Sequence, residues 1–214
     1  LLQAETRLVP TITGEPLLQR LKQAGEEGGI HSVQLDVNSY LIIDGERKVV
    51  HLPVRFSDMQ QTLLDILVMF RSSDYVLLTS AERDRLLALA PMTTLTLEQF
   101  TWSACHHAEP QLPIPDHIIH QAFRLKRWPS FTRLRYKPVH MQWAGRLVKT
   151  AHSMSHLATD AMTDMIDAAK FYNACVVGGL ALVEAGSGVS LPAMAAEAGG
   201  KRGIMQRILK RLMK

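Results

Sequence analysis

Cysteine is scarce in this 214-residue chain: only Cys105 and Cys175 occur, far apart and in unrelated local contexts. A disulfide framework is therefore not expected, and a reducing, cytoplasmic setting is. Long apolar runs are missing as well. The longest, Ala174 to Val183, contains Gly178 and Gly179 and falls well short of the roughly 20 residues that span a bilayer, so it reads as a core helix end. The opening residues, Leu1 to Pro10, include Glu5 and lack a basic start followed by an apolar stretch, so no secretory signal is read in them.

Familiar catalytic motifs are absent too: no nucleophile elbow, phosphate loop or dinucleotide fingerprint can be found. The glycines from Gly25 to Gly29 are not followed by Lys-Ser or Lys-Thr, and Gly186-Ser187-Gly188 is equally unspecific. No repeat of fixed period is present.

The most informative absence is of acid. Between Asp116 and Asp160 there is no carboxylate, while Arg124, Lys126, Arg127, Arg133, Arg135, Lys137, Arg146 and Lys149 are all basic. The last fourteen residues likewise hold Lys201, Arg202, Arg207, Lys210, Arg211 and Lys214 and no acid. These six cations exceed the net charge of +4, so the remainder of the chain is acidic on balance. Fixed cations without counter-charges attract phosphate or carboxylate groups. The competing expectation is that distant Asp and Glu side chains pair with them on folding.

What is present describes an ordinary folded protein, with 47% hydrophobic and 21% charged residues. Pro16 suits the first turn of a helix through Ala24, which the glycine cluster stops. The near-alternation of Val33, Leu35, Val37, Leu41 and Ile43 predicts a strand, and Asp44-Gly45 before Val49, Val50 and Leu52 predicts a hairpin whose turn needs positive φ. Ser57 or Asp58 caps a helix through Phe70, Tyr75 to Thr79 is a short strand, and helices follow over Ser80 to Ala90 and from Thr96 to about His107. The three prolines of the Glu109 to Pro115 stretch mark a linker. Asp116 then caps a helix to about Leu125, and three helices follow closely, about Val139 to Thr150, Ser153 to Ala161, and Thr163 to Leu182. The expected fold is α+β, with an α/β N-terminal domain over 1–108, a helical, helix-turn-helix-like domain over 116–185, and a linker with a basic amphipathic helix over 186–214.

Three constellations compete for a functional role. Arg124, Lys126, Arg127, Arg133, Arg135 and Lys137 interleave with Phe123, Trp128, Phe131, Tyr136 and Trp143, so cations around Trp128 could bind an anion, a nucleotide ring or an acidic partner. Packing of these aromatics in a seam is the alternative. In the tail, Ile208 and Leu212 lie on one side and Arg207, Lys210 and Arg211 on the rest, fit for a partner's groove or, more weakly, a membrane surface. Cys105-His106-His107, Asp116-His117 and His120 tempt a metal reading, but no Cys-x-x-Cys or His-Glu-x-x-His spacing supports it, so neither metal nor cofactor is expected.

The Arg127 to Pro129 turn and the helices after it, roughly residues 120 to 183, resemble helix-turn-helix or winged-helix-like modules of bacterial regulatory proteins. The resemblance implies regulation, through DNA or as a protein-docking platform, although the sequence has no clear second hairpin after Val183 for a wing. Asp164 and Asp167 near the start of the last helix would repel a phosphate backbone. The leading expectation is thus a non-catalytic regulatory or adaptor protein that binds a protein partner. A nucleic-acid or nucleotide-binding regulator using residues 124–149 comes second, and an enzyme of unrecognised type third.

Overall fold

The computed structural model describes residues 15–56, 60–67, 69–110 and 112–183. The linker expected over 186–200, the tail residues Arg207, Ile208, Lys210, Arg211 and Leu212, and the proposed caps Ser57 and Asp58 lie outside the described residues. The fold is α+β, as expected, and centres on a five-stranded antiparallel sheet.

Helix α1 (Pro16–Glu27) starts on its proline and buries Leu17, Leu18, Leu21 and Ala24 as one stripe. Gly25 lies within it, and the stop comes at Gly28, whose φ of 82° only glycine adopts freely. Strands β1 (Ile30–Asp36) and β2 (Ser39–Asp44) follow, joined by a two-residue turn at Val37-Asn38 in which Asp36 Oδ1 accepts the Asn38 N–H at 3.2 Å. The single strand expected across Val33 to Ile43 is therefore a hairpin, turned by an Asp side chain that substitutes for a backbone acceptor.

The hairpin predicted at Asp44-Gly45 is present, but its physics differs from expectation. Residues 45–48 form a four-residue loop between β2 and β3 (Val49–Pro53), and the positive φ, 56°, falls on Lys48. Gly45 is required for another reason: a Cβ there would stand 2.4 Å from the Ala24 carbonyl oxygen, and its N–H donates to Gly29 O at 2.8 Å. Glycine lets this loop close directly onto the end of α1.

Helix α2 (Gln60–Leu67), strand β4 (Val76–Leu78), helix α3 (Ser80–Leu87), strand β5 (Met92–Thr96) and helix α4 (Leu97–His107) complete this half. Thr79 and Thr96 open α3 and α4 with reciprocal capping boxes to Glu82 and Gln99. Strand β5, which the sequence pattern does not reveal, closes one sheet edge, giving the order β4-β1-β2-β3-β5.

Paired residues share a face of the sheet, so the register places Val33 with Leu41 and His31 with Ile43 and Val50 on one side, toward α1 and α4. On the other side stand Ile30, Ile42, His51 and Asp44, and Arg83 of α3 reaches in to donate to Asp44 Oδ2 at 2.9 Å. Both faces are covered, which explains why Leu41 to Ile43 reads as a continuous apolar run.

The second half comprises α5 (Asp116–Ile119), β6 (Phe123–Leu125), α6 (Pro138–Leu147), α7 (Met154–Ala161), α8 (Met165–Val177) and β7 (Ala181–Val183). The helix expected from Asp116 to Leu125 ends at Ile119, because Phe123 and Leu125 are buried around an exposed Arg124, a period of two that makes a strand. The helix expected to reach Leu182 ends at Val177. Gly178 caps it, Gly179 turns the chain at φ 66°, and β7 pairs antiparallel with β6. The three-helix succession α6, α7, α8 has the short joints predicted, with Ser153 and Asp164 accepting cap hydrogen bonds.

Residues Phe171 to Val177 of α8 are all buried, packed against α4, α7 and α1. The hydrophobic core is continuous from Leu17 and Phe100 to Trp143 and Phe171.

Candidate functional site

The basic segment is built as a strap across the start of α4. After β6 the chain runs irregularly from Lys126 to Lys137, and hydrogen bonds fix its path. Ser130 donates its N–H to Glu98 Oε1 at 3.3 Å, Gln99 Nε2 donates to Arg133 O at 3.4 Å, and Trp102 Nε1 donates to Arg135 O at 2.6 Å. Burial of Trp102, with its one N–H satisfied by that carbonyl, anchors the strap.

Folding neutralises part of the charge. Arg127 pairs with Glu98 at 3.0 Å, Lys137 with Asp167 at 2.6 Å, and Arg146 with Asp160. Only Glu98 comes from the first half; the two aspartates belong to α7 and α8. Lys126 Nζ donates to the Gly179 carbonyl at 3.1 Å, holding the β6 and β7 ends together. Arg124, Arg133, Arg135 and Lys149 are exposed and have no carboxylate within ion-pair distance among the described residues.

The aromatics divide likewise. Phe123, Phe131 and Trp143 are buried, as the packing alternative expects. Trp128 and Tyr136 are each 45% exposed, and each packs on Phe131, at ring distances of 5.8 and 5.0 Å. A Cβ on Gly145 of α6 would stand 3.7 Å from Cη2 and Cζ3 of Trp128, so the far edge of that ring lies beside this glycine. The same stretch of chain thus carries exposed arginines without described carboxylate partners and two half-open aromatic rings.

Beside the strap, Leu64, Trp102, Ser103, His106, His107, Glu109, Arg135 and Lys170 line a cleft of about 420 Å³. Lys170 Nζ pairs with Glu109 at 2.6 Å, and His107 Nε2 with Asp65 at 3.1 Å. Apart from Arg135, His106 and His107, these residues carry no sequence signal. They come from α2, α4, the stretch after α4, and α8, and only the packing of α8 on α4 brings them together.

His106, in the wall of the cleft, and His140, which is not part of its lining, are of defined tautomer. His106 Nδ1 is 2.9 Å from Trp102 O, and since a carbonyl only accepts, the proton is on Nδ1 and Nε2 is bare. Lys137 N–H donates to His140 Nδ1 at 3.2 Å, so the His140 proton is on Nε2. Neither Nε2 has a hydrogen-bond partner, and the rings are 4.9 Å apart, walled by Trp102, Trp143 and Phe171. Burial, followed by His106 and Lys137, pushes the His140 pKa down to about 3. Burial, with Lys170 and Lys137, lowers that of His106 against the opposing Trp102 carbonyl and Asp167. Both rings are neutral near pH 7.

The thiols of Cys105 and Cys175 are free and buried, and burial raises their pKa, so neither is a nucleophile at neutral pH. Among the described residues no group of three or more His, Cys, Asp or Glu could hold a metal ion. His106 and His107 diverge, the first toward Trp102 and the second toward Asp65, while His120 meets Ser155 at 3.2 Å. No described helix is long and apolar enough to cross a membrane.

No protein-family model matches the chain, no curated protein matches it, and no solved structure matches its fold.

Proposed function

We propose that the chain is a non-catalytic regulatory or adaptor protein of the cytoplasm that binds an acidic protein partner through the strap and its neighbours. The observation that carries this reading is the set of exposed cations Arg124, Arg133, Arg135 and Lys149, without described carboxylate partners, in the same acid-free stretch as half-open Trp128 and Tyr136. Aromatic and arginine side chains are the groups that dominate protein interfaces, and unpaired arginine is ready for bidentate carboxylate binding.

Burial of α8 supports a protein rather than a duplex as the partner. A helix that reads the major groove needs an exposed face, and from Phe171 onward α8 has none. Trp128 and Tyr136 do favour one second reading, a single-stranded nucleic acid or nucleotide whose bases stack there while the arginines hold phosphate.

The test is a pull-down with the full chain, with Arg124→Glu/Arg133→Glu, and with a chain lacking residues 201 to 214. A partner protein retained by the full chain and lost by the charge reversal supports the proposal, and one captured equally by both overturns it. Loss in the shortened chain alone moves the contact to the tail. Binding of a single-stranded oligonucleotide that weakens steeply with salt, with the slope reduced by roughly 0.7 for each phosphate contact removed, selects the second reading.

A further inference from the structure

We infer that the cleft between α4, α8 and the strap is a binding site for a small organic oxyanion, a carboxylate or phosphate on a short body, distinct from the outward surface of Arg124 and Arg133. Three features of its wall argue this. Arg135 lines the cleft, its side chain has no carboxylate within ion-pair distance among the described residues, and its carbonyl is fixed by the 2.6 Å bond from buried Trp102, so an uncompensated cation is tethered at this wall by a rigid main chain. Lys170 supplies a second ammonium, largely buried and turned toward Glu109 at the rim. Ser103, one turn before His107 on α4, adds a hydroxyl that can donate.

The remaining walls limit the occupant. A volume of about 420 Å³ is at the small end of ligand sites, large enough for a metabolite and too small for a dinucleotide. Leu64 gives an apolar patch for a short carbon body. The one carboxylate of the lining, Glu109, is 74% exposed and already turned to Lys170, so an incoming oxyanion meets a net positive wall. Glu109 can swing into water as the ligand takes its place on Lys170. The His106 ring is neutral and adds no charge to this wall.

Isothermal titration of the full chain with inorganic phosphate and with succinate, each against sodium chloride at equal ionic strength, tests the site. Saturable one-to-one binding of either probe, absent with chloride, is expected, and the probe that binds identifies the head group. Arg135→Ala, at an exposed position, should weaken it about tenfold to hundredfold, as loss of a charge-assisted hydrogen bond does. Lys170→Met should also weaken it, and Arg133→Ala should leave it unchanged. No saturation by either probe up to concentrations on the order of 10 mM, or equal binding by Arg135→Ala, overturns the proposal. Arg133→Ala losing as much as Arg135→Ala also overturns it, because the anion would then be reading the general surface charge.

Discussion

Two regions of this molecule treat arginine in opposite ways. On the outer face of the sheet, Arg83 is almost wholly buried, with Asp44 and Asp84 each 2.9 Å away. On the strap, Arg133 and Arg135 face water with no described carboxylate in reach. In sequence the contrast points elsewhere, since Glu82 and Asp84 flank Arg83 while its buried partner Asp44 lies 39 residues away. A buried cation must be paired because desolvation would otherwise be uncompensated, whereas an exposed one is solvated and stays available. The open arginines are therefore a property of the surface that the structure has not used up, and the sealed one is part of the fold.

The largest effect that would break this division is in α8. Phe171→Ala removes a ring packed on Trp102, His140 and Trp143, and should cost about 3 to 5 kcal/mol in urea denaturation. If α8 were instead a surface helix reading a ligand, the variant would keep its stability and lose only binding.

The second effect sharpens the comparison by titrating the interior. His140 has a folded-state pKa of about 3 against 6.5 when unfolded, so between those values the unfolded chain binds the extra proton. Its contribution is fully present above pH 6.5 and is lost as pH falls, at about 1.4 kcal/mol per pH unit for one histidine. His140→Gln should flatten the fall in unfolding free energy between pH 6.5 and 5 by about that slope. An unchanged slope would mean that the ring is open to water, and the sealed interior would extend less far than Trp102.

How far this division could be read in advance depended on range. Local signals worked: Pro16, Thr96 and Ser153 open helices where side-chain chemistry requires. Signals that depend on distant neighbours did not. Gly45 is present because Ala24 lies against it, not because its own φ is positive. Strand β5 is held by pairing with β3, and β6 and β7 by pairing with each other, so their short runs looked like parts of helices or like nothing. The acid-free stretch was visible as a charge pattern, yet which of its cations would be quenched depended on Glu98, Asp160 and Asp167. The cleft was invisible, because Ser103, Glu109 and Lys170 become neighbours only through helix packing.

The smallest effect lies on the border between the two regions. Glu98 holds Arg127 at 3.0 Å and the Ser130 N–H at 3.3 Å, and Arg127 is 55% exposed. Replacing Glu98 with Gln keeps a possible acceptor for Ser130 and removes the charge, so stability should change by under about 1 kcal/mol, as for other exposed pairs. Binding should move in the other direction. Arg127, released from its carboxylate, joins Arg124 and Arg133, so Glu98→Gln should bind an acidic partner more tightly, and its affinity should fall more steeply with added salt. Titrations at two ionic strengths decide this. A variant with unaltered affinity and salt dependence would show that the partner never meets this side of the strap, and would confine the binding surface to the cations that folding left unpaired.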